Sequence, residues 1–228
     1  ELFERHQRSE QALVLALMEM VVNGVSTRKI SKITETLCGK SFSKSTVSSL
    51  AKRLDPIIDE FRNRPLGDKK YPFVIVDALY TKSRHMGRVE SRGILIASGI
   101  NEDGYREIIG FHVAQEETTE SWSELFENLK DRGLSGVDLV VSDNHKGLVA
   151  AIRRHFVGAT WQRCQTHFSR NILDKVPKKI RSDFKEMLQA MFVAKDMKIA
   201  REIRNEIIDQ FEHQAPKAVK TLDEGFDD

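Results

Sequence analysis

The sequence predicts an α/β protein: a mixed sheet with flanking helices, set between two purely helical segments. Three observations predict it. Two short apolar runs each end in an aspartate and read as buried strands: Tyr71-Pro72-Phe73-Val74-Ile75-Val76 into Asp77, and Asp138-Leu139-Val140-Val141-Ser142 into Asp143. Two further runs, 92–100 and 105–114, flank the turn Asn101-Glu102-Asp103-Gly104 and read as a hairpin. Before residue 63 and after about 168, apolar residues recur only at helical spacing.

The elements follow in order. Leu13, Leu17, Met20 and Val21 mark a first helix that Gly24 stops. Ser26 caps a second, carrying Ile30, Ile33 and Leu37. Cys38-Gly39-Lys40-Ser41-Phe42 makes a turn, and Ser43 opens a third helix with Val47, Leu50 and Leu54. Asp55-Pro56 caps a short fourth helix. The polar stretch from Arg62 to Lys70, with Pro65 and Gly67, reads as a linker. After the three strands, Trp122, Leu125, Phe126 and Leu129 define a helix with a Ser121/Glu124 capping box and Gly133 past its end. It returns the chain to the strand at 138–142. Leu148, Ala151, Ile152 and His155 mark another helix, and 159–164 another strand. A helical crossover brings the later strand parallel to an earlier one. If that partner is the first strand, Asp77 and Asp143 become neighbours in a ribonuclease H-like arrangement. The predicted organisation is therefore a helical domain at 1–64, a linker at 65–71, a ribonuclease H-like core at 72–176 and an all-helical segment at 177–228.

Composition narrows the classes. No run of about 18 apolar residues exists to span a membrane. The chain begins at Glu1 without a leader pattern or initiating Met, which predicts a cytoplasmic protein and a fragment. Cys38 and Cys164 do not suggest a disulfide framework. The overall net charge of +2 is segregated: +4 over 1–70, −6 over 71–143, +8 over 144–185 and −4 over 186–228. A basic stretch directly after an acidic, strand-rich one suits a metal centre beside a phosphate track, with a solvated basic face as the alternative. The two helices around the Gly39 turn suggest a helix-turn-helix, whose reading helix shows Lys44, Ser45, Thr46, Ser48, Lys52 and Arg53. A plain helical bundle with a polar outer face is the alternative. Gly39-Lys40-Ser41 is no phosphate loop, because Thr34 stands where that motif needs glycine.

A carboxylate at the end of a buried strand is costly unless something pairs with it, and a divalent cation is the strongest candidate. One such Asp is commonly just a hydrogen-bond acceptor. Two at matching strand ends point to magnesium or manganese and to cleavage of nucleic-acid backbones. Glu116, Glu117, Glu120 and Glu124 lie near the crossover helix, where a ribonuclease H-type glutamate would sit at 120 or 124; each reads as solvated surface. Cys164 and His167 form a Cys-x-x-His pair, half of a zinc site at most, and read as a packed cysteine and a hydrogen-bonded histidine. His145 follows Asp143 closely enough to contact a scissile phosphate, or simply starts a helix. Arg163, Arg170, Lys175, Lys178 and Lys179 are the phosphate-binding candidates in the basic stretch.

Taken together, Ser26-Thr27-Arg28-Lys29-Ile30-Ser31, Ser43-Lys44-Ser45-Thr46-Val47-Ser48, Asp77-Ala78-Leu79-Tyr80, Ser142-Asp143-Asn144-His145-Lys146-Gly147-Leu148 and Trp161-Gln162-Arg163-Cys164-Gln165-Thr166-His167-Phe168 resemble the Mutator-type transposases of bacterial insertion sequences. The resemblance spans almost the whole chain and implies that 1–64 is a helix-turn-helix DNA-binding domain, 72–176 the first part of a ribonuclease H-like catalytic core and 177–228 an incomplete helical insertion. It implies an aspartate–aspartate–glutamate transposase, with Asp77 and Asp143 as the first two catalytic and metal-binding carboxylates. It implies two magnesium or manganese ions in the complete site, and double-stranded DNA as partner, both terminal inverted repeats and target. Arg28 and Lys29 join the DNA-binding set, Cys164 and His167 support the active-site side, and a homodimer on DNA is expected in the bacterial cytoplasm at the nucleoid. The family's third carboxylate, a glutamate beyond a helical insertion, has no counterpart here, so this chain alone is expected to be inactive. The alternatives are a non-catalytic, repeat-binding repressor and, more remotely, a nuclease complete within this chain.

Overall fold

The computed structural model describes residues 14–20, 22–38, 43, 49, 52–85 and 88–228. The chain divides into two compact units, Glu1–Arg64 and Pro65–Asp228.

In the first unit, 14–20 is helical and a turn at Asn23–Gly24 follows, with Gly24 at φ +75°. Helix α1 (Thr27–Cys38) starts where Ser26 Oγ accepts from the Lys29 amide at 3.4 Å. Its Ile30 is fully buried, and Leu17 of the preceding helix nearly so. A short 3₁₀ turn at Lys52–Leu54 leads into α2 (Asp55–Asn63). Leu54 is the N-cap, which puts Pro56 one position further into the helix than the sequence suggests. Lys44, Ser45, Thr46 and Ser48, and most of the expected third helix, lie outside the described residues.

The second unit is built on one five-stranded sheet: β1 (Phe73–His85), β2 (Arg88–Ile100), β3 (Arg106–Ala114), β4 (Leu139–Ser142) and β5 (Thr160–Arg163). The order across the sheet is β3-β2-β1-β4-β5. β1, β2 and β3 pair antiparallel in sequence, whereas β4 lies parallel to β1 and β5 parallel to β4. The parallel pairings follow from the helical crossovers α3 (Thr119–Asp131) and α4 (Lys146–His155), since a parallel neighbour cannot be reached by a tight turn. β1 runs well beyond the expected strand end at Asp77 and forms a long antiparallel ladder with β2. The residues from Ala78 onward alternate without a strong apolar signal, so the sequence reading stopped short.

Helices α3 and α4 cover one face of the sheet. Val74 and Val76 of β1, Leu95 and Ala97 of β2, and Val140 of β4 meet Trp122, Phe126, Leu148 and Ile152 in a continuous core. Trp122 stacks on Phe126 at 5.8 Å, and Phe156 meets Phe126 edge-on at 4.9 Å, geometries that aromatic quadrupoles favour. The capping box of α3 lies three residues before the expected one: Thr118 Oγ1 accepts from the Ser121 amide, and Ser121 Oγ from the Thr118 amide. Gly133, at φ +97°, ends the helix. Within the range read as the linker, Leu66 and Tyr71 are buried in this core.

Beyond β5 the chain is helical: α5 (Gln165–Leu173), a 3₁₀ turn at Lys178–Ile180, α6 (Arg181–Phe192), α7 (Met197–Phe211) and α8 (Pro216–Glu224). These helices share a second apolar core around Phe168, Phe184, Leu188, Ile207, Phe211 and Leu222.

Candidate active site

Side chains alternate across a strand, so residues two apart share a face. In β1, Val74 and Val76 point into the core, which sends Phe73, Ile75 and Asp77 to the opposite face. In β4, Val140 and Ser142 point inward, which sends Leu139, Val141 and Asp143 to that same opposite face. The β1–β4 register pairs Phe73 with Leu139, Val74 with Val140 and Ile75 with Val141, each 66 positions apart. Asp77 and Asp143 are also 66 apart, and each stands two residues beyond the last β1–β4 pair, Ile75 with Val141. Residues of β4 and β5 pair 21 positions apart, and Cys164 follows Asp143 by the same 21, just past the last pair, Ser142 with Arg163. Asp77, Asp143 and Cys164 thus stand at the same end of three neighbouring strands.

Each aspartate has a local partner. Asp77 is largely exposed; its Oδ1 accepts from the Ala78 amide at 2.9 Å and lies 3.9 Å from His167 Nε2. His167 reaches it from the first turn of α5, which starts over the strand ends because Cys164 is its N-cap and donates its amide to Ser142 O at 2.6 Å. Asp143 Oδ1 accepts from the His145 amide at 3.2 Å. Behind it, Trp161 Nε1 donates to Ser142 Oγ at 2.9 Å, and Ser142 Oγ donates to Asp143 O at 2.7 Å. A fully buried hydroxyl therefore fixes the backbone at the end of β4.

Glu117 departs from expectation. It does not behave as solvated surface: its side chain is only 9% exposed. Its Oε2 accepts from Tyr80 Oη at 2.7 Å and its Oε1 from Trp122 Nε1 at 3.1 Å. His145 Nδ1, itself buried, lies 3.4 Å from the same Oε1. Partial burial, the hydrogen bond to Glu117 and the negative charges of Glu117 and Asp143 push the Tyr80 hydroxyl up to about 12. Tyr80 is consequently a donor at neutral pH and no base. Glu116, Glu120 and Glu124 are exposed, and Glu124 pairs with His112 at 3.2 Å.

Glycine permits this arrangement at one point. A Cβ on Gly147 would stand 3.0 Å from Thr119 N and 3.2 Å from Thr118 C. The start of α4 therefore sits directly on the backbone at the start of α3, which brings His145 to Glu117.

The two aspartates fit the carboxylate part of a magnesium site, because that ion keeps several waters and is held by one or two carboxylates plus substrate phosphates. Among the described residues, no group of three or more His, Cys, Asp and Glu side chains is arranged to hold a metal. Cys164 is a free thiol, and His167 Nε2 lies 3.9 Å from Asp77 Oδ1. Among the phosphate-binding candidates, Arg170, Lys178 and Lys179 are exposed in α5 and the following turn. Arg163 is not presented this way: it packs over Phe168 at 4.4 Å and pairs with Asp228 at 3.6 Å. Lys175 donates to Thr221 Oγ1. Arg28, Lys29 and Lys52 are exposed in the first unit, where Arg53 is the next residue of the 3₁₀ turn. No helix among the described residues is long and apolar enough to cross a membrane.

Comparison with known proteins adds a family. The model for transposases of the Mutator family matches residues 1–228. A Staphylococcus aureus transposase for insertion sequence element IS256 in transposon Tn4001 is 51% identical over 228 residues, covering 99% of this chain and 58% of that one. The Rhizobium meliloti transposase for ISRM5 is 48% identical over 88% of this chain and 50% of its own length. The Mycobacterium tuberculosis transposase for IS1081 is 39% identical over 97% and 54%. The chain thus spans about half the length of the curated relatives it matches. Likeness to a solved Drosophila P element transposase strand transfer complex is weak, with a TM-score of 0.42 and 12% identity over 97% of this chain and 86% of that one.

Proposed function

Because this chain belongs to the Mutator family of transposases, we propose that it holds two of the three catalytic carboxylates of an aspartate–aspartate–glutamate transposase, Asp77 and Asp143, on a ribonuclease H-like core. The observation that carries this reading is the parallel β1–β4 pairing, in which each aspartate follows the last pair of its strand by two residues. The strand order β3-β2-β1-β4-β5, in which β2 runs opposite to the other four strands, supports the core assignment.

Magnesium or manganese bound between the carboxylates would supply activation of a water or a DNA 3′-hydroxyl and stabilisation of the departing oxygen. The protein's own part is positional. Asp77 lies beside His167, and Asp143 is aimed by the His145 amide. The exposed cations Arg170, Lys178 and Lys179 lie in the helical region after β5 and would track the phosphates of double-stranded DNA. Arg28, Lys29, Lys44, Ser45, Thr46, Ser48, Lys52 and Arg53 would bind the terminal inverted repeats through a helix-turn-helix. Strand cleavage and strand transfer also require the third carboxylate, and pairing of two element ends requires a second copy.

The test is a chimaera in which this chain replaces the matching stretch of the Staphylococcus aureus relative. With magnesium, the chimaera should cleave DNA at the element ends. Asp77→Asn or Asp143→Asn should abolish cleavage and leave DNA binding largely intact. A variant that cleaves like its parent contradicts the assignment. Repeat-specific binding without cutting by the chimaera favours the repressor reading instead.

A further inference from the structure

The Glu117 carboxylate joins three separate parts of the second unit. Tyr80 comes from β1, three residues past Asp77, and reaches across 37 positions to Oε2. Trp122 comes from α3, where its ring is fully buried, so Oε1 is anchored to a rigid point of the core. His145 comes from the turn between β4 and α4, two residues past Asp143, and its buried Nδ1 faces Oε1 at 3.4 Å. Tyr80 lies on the covered side of β1 by strand alternation, so the cluster stands behind the two aspartates. A carboxylate this enclosed is costly unless its lone pairs are satisfied, and here both oxygens are engaged by protein donors.

We propose that Glu117 is a positioning residue for the Asp77–Asp143 pair: it ties the far side of β1 and the turn after β4 to Trp122, and so holds the two strand ends in register. The link to Asp143 is direct, because the His145 amide donates to Asp143 Oδ1 while the His145 ring faces Glu117. Gly147 fixes the approach, since any side chain there would strike the backbone at Thr118 and Thr119. The function of this clamp rests on the metal-binding reading of the aspartates, but its structural effect does not. The arrangement also separates Glu117 from the ligand role that a glutamate near this crossover would suggest, because its oxygens already accept from Tyr80 and Trp122.

The experiment uses the full 228-residue chain and two readouts. The first is hydrogen exchange at the His145 backbone amide, with the Leu95 amide in the sheet as the control for an intact core. Glu117→Ala should speed exchange at His145 by at least about tenfold, within the range of local opening free energies, and leave Leu95 protected. The second is manganese affinity by electron paramagnetic resonance. Glu117→Ala should weaken it by about 10- to 100-fold, as loss of a group that orients ligands does. Glu117→Gln keeps an acceptor for Trp122, and the Tyr80 hydroxyl can rotate to meet the amide, so this variant should bind manganese within a few-fold of the parent.

Unchanged His145 exchange in Glu117→Ala overturns the proposal. So does a Glu117→Gln variant that loses manganese as completely as Asp143→Asn, because Glu117 would then be a ligand. Should Glu117→Ala fail to fold, Tyr80→Phe carries the test: it removes one donor to Glu117, and His145 exchange at the parent rate overturns the clamp. If the parent binds no manganese while the exchange response is present, the metal reading fails and the clamp stands.

Discussion

Tyr80 and His155 carry the clearest titration signatures at the level of single residues. The Tyr80 hydroxyl is pushed up to about 12, chiefly by partial burial and then by its bond to Glu117. A group whose value is raised on folding contributes stability below its ordinary value of about 10, and that contribution disappears as pH rises through the folded value. An absorbance titration should therefore show a tyrosine that ionises near 12, and Glu117→Ala should move it back toward 10. His155 is displaced the other way: burial and the Lys130 charge hold it below 6.5, against opposition from Glu127. The fold favours its neutral ring, so its contribution is present above 6.5 and fades as pH falls through the lowered value. The ring's resonances in an NMR titration should accordingly shift below 6.5. At this scale the sequence singles out the two aspartates and reads Glu117 as solvated surface, which its burial corrects. Asp77 and Asp143 announce themselves as charges ending apolar runs. Glu117 stands in a polar loop, and its burial is created by Tyr80 and His145, partners 37 and 28 positions away.

The strands and helices were more legible than their boundaries. Strong periodicity marks β3, β4, β5 and helices α3, α4, α6 and α7 close to where they stand, whereas α5 and α8 are short and carry no separate stripe in the sequence reading. β1 was read only to Asp77, because an apolar run marks its first half alone; pairing with β2 extends it to His85. The capping box of α3 was placed on Ser121 and Glu124, whereas Thr118 and Ser121 form it: both positions offer suitable side chains, and the packing of Trp122 selects the earlier start. Gly133 was recognised as a terminator, and the structure adds a second reason for it. A Cβ there would stand 2.9 Å from both Gly67 N and Gly67 Cα, and φ is +97°. Backbone cannot move aside as a flexible side chain does, so Gly133→Ala should cost about 1–3 kcal/mol in chemical denaturation. A change below about 0.5 kcal/mol would mean that this joint between α3 and the residues before β1 is looser than the geometry indicates.

For the whole molecule, the sequence anticipated a mixed α/β core, and the β3-β2-β1-β4-β5 order supplied what sequence patterns do not contain, namely which strand lies beside which. Membership of the Mutator family of transposases was legible from the motif order, and the family match over residues 1–228 agrees. The reading helix of the expected helix-turn-helix falls largely outside the described residues. The central claim is that Asp77 and Asp143 share one divalent cation across the β1–β4 boundary. Manganese titration of the full chain, followed by electron paramagnetic resonance, tests it most directly. The account predicts a bound ion in the parent and, in Asp77→Asn and Asp143→Asn alike, a loss of affinity of at least about tenfold, because each removes one of two charged oxygen donors. Parent-like manganese affinity in either variant would contradict it.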